Sequence, residues 1–448
     1  MMFRILMFVM VFAVTCTAQT SGSGKVYTLD DCLKIAAENN LDIQSGAAQY
    51  QAQGAYVTQA FGAFLPTMGA SMGYSRQLNV EGGRTVNIGG QVIPIAGAEP
   101  NSYSMSAYAS YNIFNGFARE ANYNRTKQEL SATDFNFRRI RQTVGYTVRS
   151  QYISVLRAMQ INKIRKENIE LGKKEVERMQ ALFDAGRVPI GNVLSQQADL
   201  GSRELDEVNS DNQVNQAKAQ ILTTLAVQPD QRSEFMESAI PSTVDDNTLT
   251  EFRKEIGSYN AAVKKALESR PDFQAFTARI EAASSSVTAA HSGRMPDLNA
   301  SGGWSWSNSQ FNNFGNNGRY YISMNLSVPI FDNFNTSTQI QTANVALRQR
   351  EIESQQSEMK IRSEVQSAFL NLEAAEKQLE ITSRALKSAE QNFKSAQERL
   401  NVGAATVLDY LTANNLLINA KINRVNAVYN YFDVQFQVRY AIGTLKEG

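Results

Sequence analysis

The chain repeats itself, and this limits its fold more than any other feature. Phe114-Asn115-Gly116-Phe117 has its counterpart in Phe331-Asp332-Asn333-Phe334, an offset of 217. Val148 to Tyr152 faces Val365 to Phe369 at the same offset, as Gly186 faces Gly403 and Leu225 faces Ile442. Upstream, Glu38, Asp42, Gln44 and Pro66 face Glu268, Asp272, Gln274 and Pro296 at an offset of 230. The difference of 13 falls between Pro66 and Phe114. The chain is therefore read as a tandem duplication, 27–227 and 258–448, joined by a linker at 228–257. Each copy is one structural unit, and the two should fold alike.

Each copy opens with a helical pattern, about 30–63 and 258–293, and then changes period. Tyr103, Met105, Ala107, Ala109, Tyr111 and Ile113 alternate with Ser104, Ser106, Tyr108, Ser110 and Asn112. Tyr320, Ile322, Met324, Leu326, Val328 and Ile330 alternate with Tyr321, Ser323, Asn325, Ser327 and Pro329. The stretches 65–75 and 297–307 behave likewise. Period 2 places alternate side chains on opposite faces of a strand, so four two-faced strands of about ten residues are expected. They form two hairpins, 65–113 and 297–330. Their loops, 78–101 and 308–318, differ in length by the same 13 residues.

After each hairpin the pattern is helical for a long way, and no proline interrupts 101–188 or 330–448. From Ile361 to Leu400 twelve positions follow strict 4,3 spacing, and Thr382 is the one that is not apolar. That is a heptad seam. The first copy is looser, with Gln151, Asn162 and Arg165 breaking it. A helix over 115–185 would be about 105 Å long, too long for a globular domain. The long helices should stop at Gly186-Arg187-Val188-Pro189 and Gly403-Ala404-Ala405-Thr406, where C-cap glycine and N1 proline signal reversal. Shorter return helices follow, completing helix hairpins over 115–227 and 332–444. Thr406 and Asp409 form a cap pair at the start of the second. The linker 228–257, with Pro229, Pro241 and Asp245-Asp246, is expected to be irregular.

The N-terminus MMFRILMFVMVFAVTCTAQT has Arg4, a ten-residue apolar run from Ile5 to Val14, and small residues before Gln19. Residues 1–18 read as a secretory signal peptide. The runner-up is a lipoprotein leader acylated at Cys16, to which Thr15 is a poor neighbour. Without the leader, Lys+Arg and Asp+Glu are both 43. A near-neutral chain argues against a nucleic-acid binder. One cysteine, Cys32, remains, so no internal disulfide forms. No later segment is apolar for 18 residues, so no transmembrane helix is expected.

Ten-residue strands with one apolar face suit a lipid-facing barrel wall. A sheet in a bilayer must close, and four strands cannot, so several copies must share one barrel. Two copies would give eight strands with a filled interior, and three would give twelve with a lumen. Ser104, Ser106, Ser110, Ser301, Ser323 and Ser327 suit a wet interior. With these features the sequence resembles the outer membrane efflux proteins typified by the trimeric TolC channel. The most specific parts are Val328-Pro329-Ile330-Phe331-Asp332, the two glycine-centred reversals, and the run from Leu408-Asp409-Tyr410-Leu411 through Tyr429-Asn430-Tyr431 to Gly443-Thr444-Leu445.

The resemblance implies an α+β membrane protein. Its long antiparallel helices form a coiled-coil tunnel, and four β-strands per chain enter a shared 12-stranded barrel in a homotrimer. It implies outer-membrane lipid around the barrel, a periplasmic adaptor (membrane fusion) protein, and an inner-membrane pump of RND, ABC or MFS type. It also implies that Gly186, Arg187, Val188, Pro189, Gly403, Ala404, Ala405 and Thr406 are adaptor-docking tips. The family narrows its mouth with aspartates. Asp409 matches one such position, the next is Thr412 here, and Asn192 is the first-repeat equivalent of Asp409.

No catalytic, cofactor or metal site is expected. The single histidine, His291, stands at a helix end before Gly293 and reads as a surface residue rather than a base or ligand. No Cys/His metal spacing occurs, and Ser21-Gly22-Ser23-Gly24-Lys25 lacks the Ser/Thr and preceding strand of a phosphate loop. The expected function is an outer-membrane exit duct of a tripartite system exporting small molecules. A protein-secretion duct and a periplasmic coiled-coil scaffold without a pore are the alternatives.

Overall fold

The computed structural model describes residues 26–78, 82–95, 97, 99–229, 233–237, 240–241 and 243–446. The signal peptide 1–18 and Cys16 lie outside the described residues. The first repeat runs β1 (Val26–Tyr27), α1 (Leu29–Asn39), α2 (Leu41–Gly62), β2 (Thr67–Arg76), β3 (Arg84–Ile88), β4 (Gln91–Ile95), β5 (Asn101–Phe114), α3 (Ala118–Asp184) and α4 (Ile190–Thr224). The linker holds β6 (Glu234–Phe235) and α5 (Asp246–Ile256). The second repeat runs α6 (Tyr259–Ser269), α7 (Pro271–His291), β7 (Asp297–Asn308), α8 (Phe314–Asn317), β8 (Gly318–Ser327), α9 (Asn335–Asn401) and α10 (Val407–Ile442).

The duplication is visible atom by atom. The opening helix of each copy is broken once, at Asn40 and at Arg270, where ψ turns extended. Asn40 Nδ2 donates to the Thr224 carbonyl at 2.8 Å, and Arg270 donates to the Ala441 carbonyl at 3.2 Å. These are equivalent pairs, so each break is tied to the end of its own return helix. The sequence reading ran one helix through each break, because an interruption of one residue leaves the apolar pattern on both sides.

Both long helices have 67 residues, about 100 Å at 1.5 Å per residue. The seam of α9 packs on α10, with Ile361, Val365, Ala368, Leu372 and Ala375 all buried. These side chains join the main core with the C-terminal half of α10, α1, α6 and the middle of α3. In the half nearer the strands the packing order is α2, α3, α7, α9; in the other half it is α4, α3, α10, α9. In α3 the seam-breaking Arg165 pairs with Asp206 of α4 at 2.7 Å, which explains why a charge is tolerated there.

The linker is not irregular throughout. β6 pairs in parallel with β1, and Asp245 caps α5, whose Phe252 and Ile256 are buried. The 78–101 loop also holds more than a loop, for β3 and β4 pair antiparallel through Gly89-Gly90, both at positive φ. β8 ends at Ser327, so Val328, Pro329 and Ile330 lie beyond the strand. Proline cannot donate to a ladder, which accounts for the early end.

Candidate functional site

Four strands form one antiparallel sheet in the order β2-β5-β7-β8. Its register carries the side-chain alternation across strands without a slip until the irregularity between Asn112 and Phe114. One face therefore holds Met68, Met72, Tyr103, Met105, Leu298, Trp304, Ile322 and Leu326. The other holds Ser71, Ser106, Ser110, Ser301, Ser323, Asn112, Asn299 and Asn325. Hydroxyl pairs Ser71–Ser106 and Ser301–Ser323, each 2.8 Å apart, stitch the polar face. Most of the apolar face is uncovered, Met68 being 74% exposed and Ile322 90%, while Trp306 at one end is buried against Phe311 and Phe314. Aromatic pairs stand at its ends, Tyr74–Tyr103 at one and Phe114–Phe117 with Phe331–Phe334 at the other.

The strands β2 and β8 are edges with no partner strand in the described residues. Each unpaired N–H and C=O of such an edge in hydrocarbon costs several kcal/mol. Phe117 and Phe334 adopt left-handed φ of 69° and 62° immediately before α3 and α9 begin. Three residues join β5 to α3, and seven join β8 to α9.

The far ends of the helices form the two tips. Gly186 and Gly403 have φ of 70° and 75°. In both turns the residue after the glycine donates back to a helix carbonyl, Arg187 to Leu182 at 2.9 Å and Ala404 to Arg399 at 2.8 Å. That bond and its companion one residue earlier make a Schellman end. The tips lie side by side. Val188, Asn192, Gly403, Ala405 and Thr406 line one cleft of about 430 Å³, closed by Met179 and Leu182. Arg178 of α3 donates to the side-chain oxygen of Asn401 across it. Gly186, Arg187, Pro189 and Ala404 stand outside the cleft, as do Asp409 and Thr412, both exposed on the first turns of α10.

Asp409 completes a capping box. Its Oδ2 accepts from the Thr406 amide at 2.9 Å and hydroxyl at 2.7 Å, while its own amide donates to Thr406 Oγ1 at 3.1 Å. Hydrogen bonds from Thr406, backbone first, hold the carboxyl below the usual aspartate range. It is ionised at neutral pH.

Sequence reasoning missed a buried polar group above the tips. Arg203 of α4 donates to the Asn168 carbonyl at 2.8 Å and to its Oδ1 at 2.9 Å, and binds Asp199 at 2.6 Å. Asn414 of α10 donates to the same Oδ1 at 3.1 Å. Tyr410 is fully buried nearby, and burial, reinforced by Glu175, pushes its phenol far above the ordinary range. Residues 35 and 246 positions from Asn168 carry no spacing signal that would have joined them.

The outer membrane efflux protein family model matches residues 32–227 and 262–444, that is, both repeats. The chain belongs to the outer membrane efflux protein family. Among these proteins, TolC of Vibrio cholerae is 25% identical over 418 residues, covering 92% of this chain and 90% of the relative. TolC of Escherichia coli is 24% identical over 425 residues, covering 91% and 80%. The solved VceC outer membrane protein of Vibrio cholerae superposes with a TM-score of 0.77 at 18% identity, over 93% of this chain and 96% of that one. The CmeC channel of Campylobacter jejuni gives 0.76 at 18% identity, over 94% and 86%. Outer membrane efflux proteins are channels rather than enzymes, sit in the outer membrane of Gram-negative bacteria, and serve as trimeric exit ducts for efflux pump systems.

Proposed function

We propose that three copies of this chain pool their sheets into one 12-stranded barrel, with β8 of each pairing to β2 of the next. The Met/Ile/Trp face meets outer-membrane lipid and the Ser/Asn face lines a water-filled lumen. The long helices continue the lumen into the periplasm, and the two tips of each copy form its entrance. The observation that carries this reading is a sheet with one largely apolar, mostly uncovered face and two edges unpaired among the described residues. Such a sheet is stable in a bilayer only when closed.

The tips Gly186 to Pro189 and Gly403 to Thr406 dock a periplasmic adaptor, which connects the duct to an inner-membrane pump of RND, ABC or MFS type. Both tip glycines have open space where a Cβ would lie, leaving bare backbone that a partner helix hairpin can approach. The cargo is a class of small molecules; a relative from Pseudomonas aeruginosa, 22% identical over 394 residues, is named as a pyoverdine export protein. At the entrance three Asp409 carboxylates form an acidic ring, with Thr412 and Asn192 as uncharged neighbours. The ionised state of Asp409 supports the ring. Its capping bonds occupy one oxygen and leave the other available.

The test is reconstitution of the mature protein in planar bilayers. A heat-resistant trimer with ion conductance is expected, and a soluble, non-conducting monomer would sink the reading. Asp409→Ala is expected to raise conductance or weaken block by divalent cations, as removing a ring of like charges should.

A further inference from the structure

The polar face of the sheet is built mostly of small residues. Over the four strands its positions are Ser, Thr, Gly or Asn, plus Asp297 and Arg319 at the ends of β7 and β8; only Tyr108 and Tyr321 carry aromatic rings. Both tyrosines fall in a single cross-strand row, Gly69–Tyr108–Gly303–Tyr321. The duplication does not account for this. At the offset of 217, Tyr108 corresponds to Asn325 and Tyr321 to Ser104. Two positions unrelated by the repeat have acquired the same side chain at the same register.

Glycine beside each tyrosine fixes how the ring lies. A Cβ placed on Gly69 would come within 2.8–2.9 Å of Cε1, Cζ and the hydroxyl of Tyr108. One placed on Gly303 would come 3.1 Å from Cε1 and the hydroxyl of Tyr321. Each ring is therefore folded over the backbone of the next strand, one side against the wall. Tyr108 remains 46% exposed and Tyr321 45%. No hydrogen bond reaches either hydroxyl among the described residues. The rings cover glycine, as aromatic residues do across strand pairs, and still present a bare surface to the space the polar face encloses.

We infer that Tyr108 and Tyr321 form a stacking platform in the barrel lumen for planar aromatic cargo. The inference rests on the duct reading above, which makes the polar face the lumen wall. Three copies supply three such platforms, each a two-ring segment inclined to the barrel axis because strands are tilted. The surrounding serines offer hydrogen bonds but no apolar surface, so a solute with a π face has these rings as its attractive stop. An aliphatic solute of equal charge finds no such partner. Weak, repeated contact of this kind slows a solute without trapping it, which a conduit requires.

The test uses the reconstituted trimer in planar bilayers. The probes are 9-aminoacridine and tetrabutylammonium, cations of equal charge, one planar and aromatic and one aliphatic. Current interruptions by the acridine are expected to last about tenfold longer than those by the aliphatic cation. Tyr108→Leu with Tyr321→Leu, which keeps an apolar cover over the glycines, should erase the difference, and Tyr108→Phe with Tyr321→Phe should keep it. Equal interruption by both probes in the unsubstituted trimer overturns the platform, even if the Leu variant fails to assemble. A persisting difference in an assembled Leu variant overturns it too. Absence of any conductance in the unsubstituted protein overturns the duct reading and this one with it.

Discussion

At the scale of single residues, the four long-helix C-termini are one design written four times. Each ends in a left-handed residue, Gly186, Ala226, Gly403 or Gly443, and the next amide donates five residues back. Three are glycine and the fourth, Ala226 at φ 54°, carries a Cβ. An L-residue in that region costs about 1 kcal/mol. Ala226→Gly should therefore stabilise the end of α4 by about 1 kcal/mol, less the extra chain entropy glycine brings. Slower hydrogen exchange at the Val227 amide, which donates to Leu222, is the expected readout. The reverse change separates strain from crowding. Gly403→Ala meets nothing within 4 Å and should cost about 1 kcal/mol. Gly443→Ala would place its Cβ 2.8 Å from Arg270 Cγ and 3.2 Å from Arg270 backbone, and should cost about 2 kcal/mol or more. Equal costs at the two sites, measured as midpoints of thermal trimer dissociation, would contradict the crowding at Arg270.

Arg270 is also a buried charge, at the break between α6 and α7. It binds Asp272 at 2.6 Å and Glu364 at 2.6 Å, with Arg139 3.7 Å from Asp272. Burial pushes the Asp272 carboxyl up, but hydrogen bonds from Arg270 and the charges of Arg139 and Arg270 outweigh it, and the net shift is downward. A depressed carboxylate contributes stability above its ordinary range and loses it as pH falls through the lowered value. Acidification below about pH 4 should loosen the α6–α7 break. Asp272→Asn should cost about 2 kcal/mol at neutral pH by removing a charged partner from a buried guanidinium, and should flatten that acid transition. A transition unchanged in the Asn variant would assign it to another carboxylate.

At the scale of elements, α9 and α10 show how a sequence pattern becomes a structure. Leu372 is fully buried in the middle of the seam. Leu372→Ala should cost about 3 kcal/mol through lost burial and a residual cavity, as thermal melting followed by circular dichroism would show. A cost below about 1 kcal/mol would mean the seam collapses around the gap. This seam was readable because its 4,3 spacing survives twelve positions, and the sheet was readable because alternation and register agree across four strands. What stayed hidden was decided by single residues or by distant ones. The helix breaks at Asn40 and Arg270 occupy one residue each and leave amphipathicity intact on both sides. The β3–β4 hairpin is made by Gly89-Gly90 in a stretch whose composition also suits a plain loop. In the linker, α5 depends on the cap at Asp245 and on Phe252 and Ile256 meeting the core, neither of which a scan for period sees among the prolines. The polar group of Asn168, Arg203 and Asn414 joins three helices, and only the fold brings them together.

At the scale of the whole molecule, every layer of the single chain is open at the same two sides. The sheet ends in β2 and β8, the helices nearest it in α2 and α9, and the helices at the tips in α4 and α9. The outer faces of the last two carry apolar side chains that are exposed among the described residues. On α4 these include Leu194, Leu205 and Val208, and on α9 Met359, Leu370 and Ile381. Val208 stands 18 residues from the start of α4 and Ile381 stands 20 from the end of α9. At 1.5 Å per residue these are about 27 and 30 Å from the tips, so they meet at one level when α4 of one copy packs on α9 of the next. Head-to-tail joining of unlike sides makes a ring when the rotation between copies closes, and does not make a two-fold dimer. Val208→Glu and Ile381→Glu should each lower the temperature at which the trimer dissociates in detergent, because each would bury a carboxylate without a partner. Val208→Glu combined with Ile381→Lys should recover most of the loss, since the two charges then face each other across the boundary. If the single changes leave dissociation untouched, α4 does not lie against the neighbouring α9. If they weaken the trimer but the charge pair gives no recovery, the two residues sit at different levels and the copies are staggered along the axis.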